Sequence, residues 1–300
     1  MSLLIDAACG SHIGKIRSNN EDNFLFADTV LPEENNGQNE PLSFCCALKD
    51  DICLAVFDGM GGGEFGEVAS YTAAAELRGL VRRTPHPSDV TAFLTECTET
   101  LNRSVYEEAE HREARQMGAT ESVLWLRGSS VYACNVGDSR IFGLRDGRFL
   151  QISQDHTDEA FLREHGILRK PHLTQYLGMN PAELRIEPHT VHAELRAGDI
   201  YLICSDGLTD MVGEDRIREI LGSAGLASAC VTALIAEALQ NGGKDNVTVT
   251  VCRVLEGASG GAADTPQQAA QTDAPAESGA VPFLKKIWNT LTEPPRSGKN

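Results

Sequence analysis

The stretch Leu54-Ala55-Val56-Phe57-Asp58-Gly59-Met60-Gly61-Gly62 carries an apolar, strand-forming run straight into a carboxylate followed by glycines. The same punctuation recurs. Val131-Tyr132-Ala133-Cys134-Asn135-Val136 leads into Gly137-Asp138-Ser139-Arg140, and Ile200-Tyr201-Leu202-Ile203-Cys204 leads through Ser205 into Asp206-Gly207. Gly242-Gly243-Lys244-Asp245-Asn246 opens a last apolar run, and Arg17-Ser18-Asn19-Asn20-Glu21-Asp22 adds two acids and a cation near the start. A single Asp-Gly pair is ordinary turn chemistry. Several acids, each at the end of a run that must be buried, are costly unless something cationic meets them. All-oxygen donors select magnesium or manganese over zinc or copper. Two such ions about 4 Å apart, bridged by one carboxylate, make water nucleophilic and clamp a phosphoryl group. Asp58 is the natural bridge, because the glycines after it let the backbone approach an ion closely.

Outward from these runs, strand-like segments near Ile5, Phe24 and Val56 precede an alanine-rich helical stretch at 64–83. Ser88 can cap a second helix, in which Val90, Phe93, Leu94, Cys97, Leu101 and Val105 share one face. The polar stretch 28–51 reads as a loop. Strand signals return at 121–127, 131–136, 141–144 and 149–152, before an irregular, polar segment at 154–190. A strand pair (191–195, 200–204), two helices (215–221, 226–240) and a final strand (247–255) complete the pattern. Strands cluster on either side of a helix pair instead of alternating with helices one by one. That arrangement predicts an α+β fold of largely antiparallel sheets covered by helices.

Three hundred residues with 41% hydrophobic content can bury a sizeable core. The net charge of −17 argues against a nucleic-acid partner, which needs a basic footprint. Nine cysteines without a CxxC pair, several in apolar runs, read as small buried hydrophobes of a reducing compartment, not as disulfides or a zinc site. The N-terminal residues lack a basic lead-in to an apolar stretch, and no apolar run approaches the ~20 residues of a membrane span. The expected location is cytoplasmic.

In order and spacing, Arg17-x-x-Asn20-Glu21-Asp22, Asp58-Gly59-Met60-Gly61-Gly62, Gly137-Asp138-Ser139-Arg140, Ser205-Asp206-Gly207-Leu208 and Asp245-Asn246-Val247-Thr248 resemble the motifs of the metal-dependent type 2C protein serine/threonine phosphatases, in their bacterial form. The resemblance covers about residues 5–255. It implies a four-layer αββα sandwich with a Mn²⁺ or Mg²⁺ cluster in the cleft between sheet edges. It further implies hydrolysis of phosphoserine and phosphothreonine in proteins by a metal-activated water at a binuclear centre, reversing a serine/threonine kinase. Asp58, Asp206 and Asp245 would bind the first ion; Asp58, the Gly59 carbonyl, Glu21 and Asp22 the second. Asp138, with Asp206, matches a third, weaker metal position. Arg17 would hold the substrate phosphate, a role suited to its bidentate fork.

Asn246 is expected to brace the Asp245 loop, and Thr120 to be structural. Met60 stands where many eukaryotic members carry a histidine taken as general acid, so the leaving-group proton would come from a metal-bound water or from solvent. Glu121 stands where the family usually has a small or apolar residue, and nothing in the sequence accounts for it. A non-catalytic scaffold on the same fold would lack a core carboxylate, and none is missing; the acidic balance disfavours a nuclease. Phosphorylated proteins and a cognate kinase are the implied partners of a monomer.

Residues 1–255 are thus expected as the catalytic domain. Residues 256–282, rich in Gly, Ala, Ser, Thr, Pro and Gln, read as a disordered linker, and 283–292 as an amphipathic segment. In it Phe283, Leu284, Ile287, Trp288 and Leu291 fall on one helical face, with Lys285 and Lys286 beside them. So short a helix is unstable alone in water and needs a surface: a partner protein, its own catalytic domain or a membrane interface.

Overall fold

The computed structural model describes residues 2–60, 65–223 and 225–257; the amphipathic segment 283–292 and all of the linker after residue 257 lie outside the described residues. In chain order, β1 (Leu3–His12), β2 (Asp22–Leu25), β3 (Leu42–Ala47) and β4 (Ile52–Met60) lead into helices α1 (Gly66–Arg83) and α2 (Val90–His111). Then come β5 (Gly118–Ala119), β6 (Glu121–Arg127), β7 (Ser130–Val136), β8 (Arg140–Arg145), β9 (Arg148–Gln151) and the short α3 (Glu159–Glu164). The last elements are β10 (His189–Glu194), β11 (Ile200–Cys204), α4 (Asp206–Thr209), α5 (Glu214–Gly222), α6 (Ala227–Gln240) and β12 (Val247–Glu256).

One antiparallel sheet has the strand order β3-β1-β12-β11-β8-β9; the other runs β10-β7-β6-β4-β2, with β5 paired onto the end of β4. Strand periodicity decides which side chains fill which layer. In β4, Leu54 and Val56 enter the space between the sheets while Ala55 and Phe57 pack under α1 and α2. In β12, Val247, Val249 and Val251 lie under α5 and α6, and Cys252 and Val254 point to the opposite sheet. Covering both faces is why these strands read as continuous apolar runs instead of alternating ones. Each large side chain so buried contributes about 1.5–3 kcal/mol. The layers, α1/α2, sheet, sheet, α5/α6, form the αββα sandwich that the resemblance implied.

Three local expectations need correction. The stretch 28–51 is not all loop, since β3 pairs with β1 from Leu4↔Ala47 to Cys9↔Leu42. As an edge strand it buries little, so its apolar signal is weak. Asp89, not Ser88, caps α2, its carboxylate accepting from Ala92 N–H at 3.1 Å. The strands read as a pair at 191–204 belong to different sheets, β10 beside β7 and β11 between β8 and β12.

Candidate metal centre

Antiparallel pairing brings the acidic ends of five runs to one edge. Asp22, opening β2, is the Cα partner of Asp58 near the end of β4. Asp138 lies in the turn from β7 to β8, Asp206 begins α4 directly after β11, and Asp245 precedes β12. Glu21 and Arg17 come from the loop between β1 and β2. The four apolar residues before Asp58 are wholly buried, so packing fixes where its carboxylate emerges. Two glycines are required by close approach. A Cβ on Gly59 would meet the Gly66 carbonyl oxygen at 2.1 Å, and one on Gly207 the Asn246 carbonyl oxygen at 1.9 Å.

Beneath the acids is a polar scaffold that motif reading only partly anticipates. Thr120 Oγ1 accepts from Asp58 N–H at 3.0 Å and lies 2.7 Å from Ser139 Oγ, so Thr120 is the strut under Asp58. Asn246 donates to the carbonyls of Ile13 and Asn19 and accepts from Glu21 N–H at 2.8 Å, the brace expected of it. Ser205 Oγ donates to Asp22 Oδ2 at 2.7 Å and accepts from Thr248 N–H. Ser205 stands directly before Asp206, and that adjacency was the available signal for its role. Lys170 had none. It comes from the polar segment 154–190, after α3, and places its ammonium 3.2 Å from both Asp206 Oδ2 and Asp210 Oδ2. Arg17 Nη2 lies 2.6 Å from Asp245 Oδ2.

Among the described residues, no three histidine, cysteine, aspartate or glutamate side chains converge on one ion-sized point as they stand. The oxygens of Asp245, Asp206 and Asp22 are turned instead toward Arg17, Lys170 and Ser205. The electrostatics show that these partners do not balance the site. Burial first, and then Asp22, Asp206, Asp138 and Asp245, push the Asp58 carboxyl well above the usual carboxylate range. Burial likewise lifts Asp22 to about 7, against the hydrogen bonds of Ser205 and Thr248. Asp138 rises to about 6, mainly by burial, with Asp206 and Asp155 adding and Lys170 opposing. Glu21 and Asp206 are raised by burial too, against Arg17 and Lys170 respectively. Two like charges about 4 Å apart cost about 4 kcal/mol even at an effective dielectric of 20. The donor set fits hard divalent cations: all oxygen, mutually repelling, and with Asp22 Oδ1 buried without a hydrogen-bond partner.

Residues 41–248 match the family profile described as "Protein phosphatase 2C". The chain is 32% identical over 262 residues to the serine/threonine protein phosphatase PstP of Mycobacterium tuberculosis, across 85% of this chain but 46% of that relative's length. It is 31% identical over 250 residues to the serine/threonine phosphatase Stp of Listeria monocytogenes, across 79% of this chain and 90% of the relative. The crystal structure of the PstP catalytic domain in complex with two manganese ions superposes with a TM-score of 0.68 at 32% identity, covering 85% of this chain and 100% of that one.

Proposed function

Because the chain belongs to the protein phosphatase 2C family, we propose that it hydrolyses phosphoserine and phosphothreonine in proteins, with Mn²⁺ or Mg²⁺ as cofactor, and so opposes a serine/threonine kinase. The observation that carries this reading is the cluster of buried, mutually raised carboxyls at the sheet edge, with the unpartnered Asp22 Oδ1 among them. Asp58, Asp206 and Asp245 would hold one ion, and Asp58, Glu21, Asp22 and the Gly59 carbonyl a second. Asp138 with Asp206 is suited to a third. When bound, the ions supply a water that is nucleophilic at neutral pH and a clamp on the phosphoryl oxygens.

The chain's own residues do the rest. Thr120 and Ser205 hold Asp58 and Asp22 in place through the hydrogen bonds above. Arg17, half-exposed beside Asp245, Glu21 and Asp58, can turn its fork from Asp245 to a substrate phosphate. Met60 has no proton to give the departing serine or threonine oxygen, so this position supplies no general acid. The segment 154–190 reaches the acidic edge through Lys170, and we assign it the part of a flap that selects substrate. The described residues contain no helix long and apolar enough to cross a membrane. We further propose that the protein acts in the cytoplasm as a monomer.

The test is turnover of phosphoserine and phosphothreonine peptides with Mn²⁺, with Mg²⁺ and in EDTA. Turnover is expected only with an ion present. Substantial hydrolysis by Asp58→Asn in EDTA would sink the proposal.

A further inference from the structure

An apolar groove of about 740 Å³ opens between the two sheets, away from the acids. Leu124, Ala133 and Val191 of β6, β7 and β10 line one side, and Leu144, Leu150 and Ile152 of β8, β9 and the residue after it the other. Leu150 is 66% exposed there, a large apolar side chain left facing water. The buried carboxylate of the groove is already answered. Asp199, 2% exposed, takes Arg145 at 2.6 and 2.7 Å, the Tyr201 hydroxyl at 3.1 Å and Arg196 N–H at 2.8 Å. A site with its buried carboxylate satisfied and its walls apolar suits an apolar occupant, not an ionic ligand.

We propose that the occupant is the chain's own C-terminal segment, docking its Phe283, Leu284, Ile287, Trp288 and Leu291 face into this groove. The first support is where the chain leaves the fold. β12 ends at Glu256, and Val254 exchanges backbone hydrogen bonds with Gly198 and Asp199, so the chain departs beside a residue that lines the groove. The second is length. From there, 25 residues (258–282) precede Phe283. A random-coil chain of that length would span roughly 25–30 Å on average and could reach about 80–90 Å fully extended. The third is chemistry. At 100° per residue the five apolar side chains occupy one arc while Lys285 and Lys286 fall on the opposite one, clear of the groove. The last eighteen residues carry four basic side chains (Lys285, Lys286, Arg296, Lys299) and one acidic (Glu293) in a chain of net charge −17, so docking lays a basic segment on an acidic body. Tethering raises the local concentration to the millimolar range, enough to hold a segment too short for a stable free helix.

The groove lies at the ends of β8 and β11 opposite to Asp138 and Asp206, so docking leaves the acidic cleft open. The 300-residue chain carries its own reporter. Of its two tryptophans, Trp125 is wholly buried, so acrylamide quenching of the accessible component reads Trp288. Trp288 should be shielded in dilute wild-type protein and become open to quencher in Leu150→Glu. Hydrogen exchange in the full chain provides the second measurement. Ile287→Ser with Trp288→Ser should speed exchange at 143–152 and 191–201 and leave the acidic edge unchanged. Equal quenching of wild type and Leu150→Glu would overturn the proposal. So would shielding that appears only as protein concentration rises, which marks a second copy, or only with phosphatidylglycerol vesicles, which marks a membrane surface.

Discussion

Asp22 and Glu121 are both buried carboxyls with an unpartnered oxygen, yet they sit on opposite faces of one sheet and in opposite chemical settings. Asp22 has Ser205 on one oxygen, Asp58, Asp206 and Asp245 nearby and the open edge of the sandwich beside it. Glu121 points under α1 and α2, where Cys53, Cys97 and Cys134 surround it and both of its oxygens lack hydrogen-bond partners. The neighbouring Thr98 hydroxyl donates to the Leu94 carbonyl at 3.1 Å. Burial pushes Asp22 to about 7 and Glu121 to about 8. A shared shift therefore says little about role. What separates them is company: clustered acids at an edge invite a cation, whereas a lone acid in an apolar layer stays protonated.

The sharpest way to break this contrast is to remove one member of the cluster and the isolated acid in turn. Asp58→Ala should lower kcat/KM on phosphopeptides by about three orders of magnitude or more, since the carboxylate proposed to hold both ions would be lost. Glu121→Gln should leave turnover almost unchanged. If Glu121→Gln proves as inactive as Asp58→Ala while still folded, the two sites are not distinct.

The next effect is on stability and belongs to Glu121 alone. Its carboxyl is raised from an ordinary 4.5 to about 8 in the folded state, so the unfolded chain gives up the proton first as pH rises. The penalty on the native state is nil below about 4.5, grows between 4.5 and about 8, and is constant above that. Denaturant titration of Glu121→Gln should thus show no gain at pH 4 and a gain on the order of 3 kcal/mol at pH 7. A gain independent of pH would mean that the acid is not held neutral.

Smaller effects test the cations that meet the clustered acids. Arg17→Ala should raise KM by about tenfold with a lesser fall in kcat, because its fork suits a dianionic phosphate in the ground state. A kcat-dominated loss would move its role to the transition state. Lys170→Ala should lower the Mn²⁺ concentration for half-maximal activity severalfold, since Lys170 competes for Asp206. An unchanged metal requirement would show that the lysine contact is incidental.

What the sequence by itself determined is local. Strand runs, helix faces and turn glycines obey short-range periodicity, and each acid next to glycine was legible from its neighbours alone. The expected Thr120 and Asn246 struts belong to the same motifs and were legible with them. Only the tertiary structure decided which face a neighbour of these motifs occupies. Thr120 supports Asp58 while the next residue, Glu121, faces the helix layer, because successive strand side chains point to opposite sides and only packing says which side is the core. It likewise decided that β3 completes an edge, that β10 and β11 part into separate sheets, and that Lys170 arrives at Asp206. Those outcomes depend on pairings such as β1 with β12, which join residues more than two hundred positions apart, and no local pattern encodes a partner at that separation.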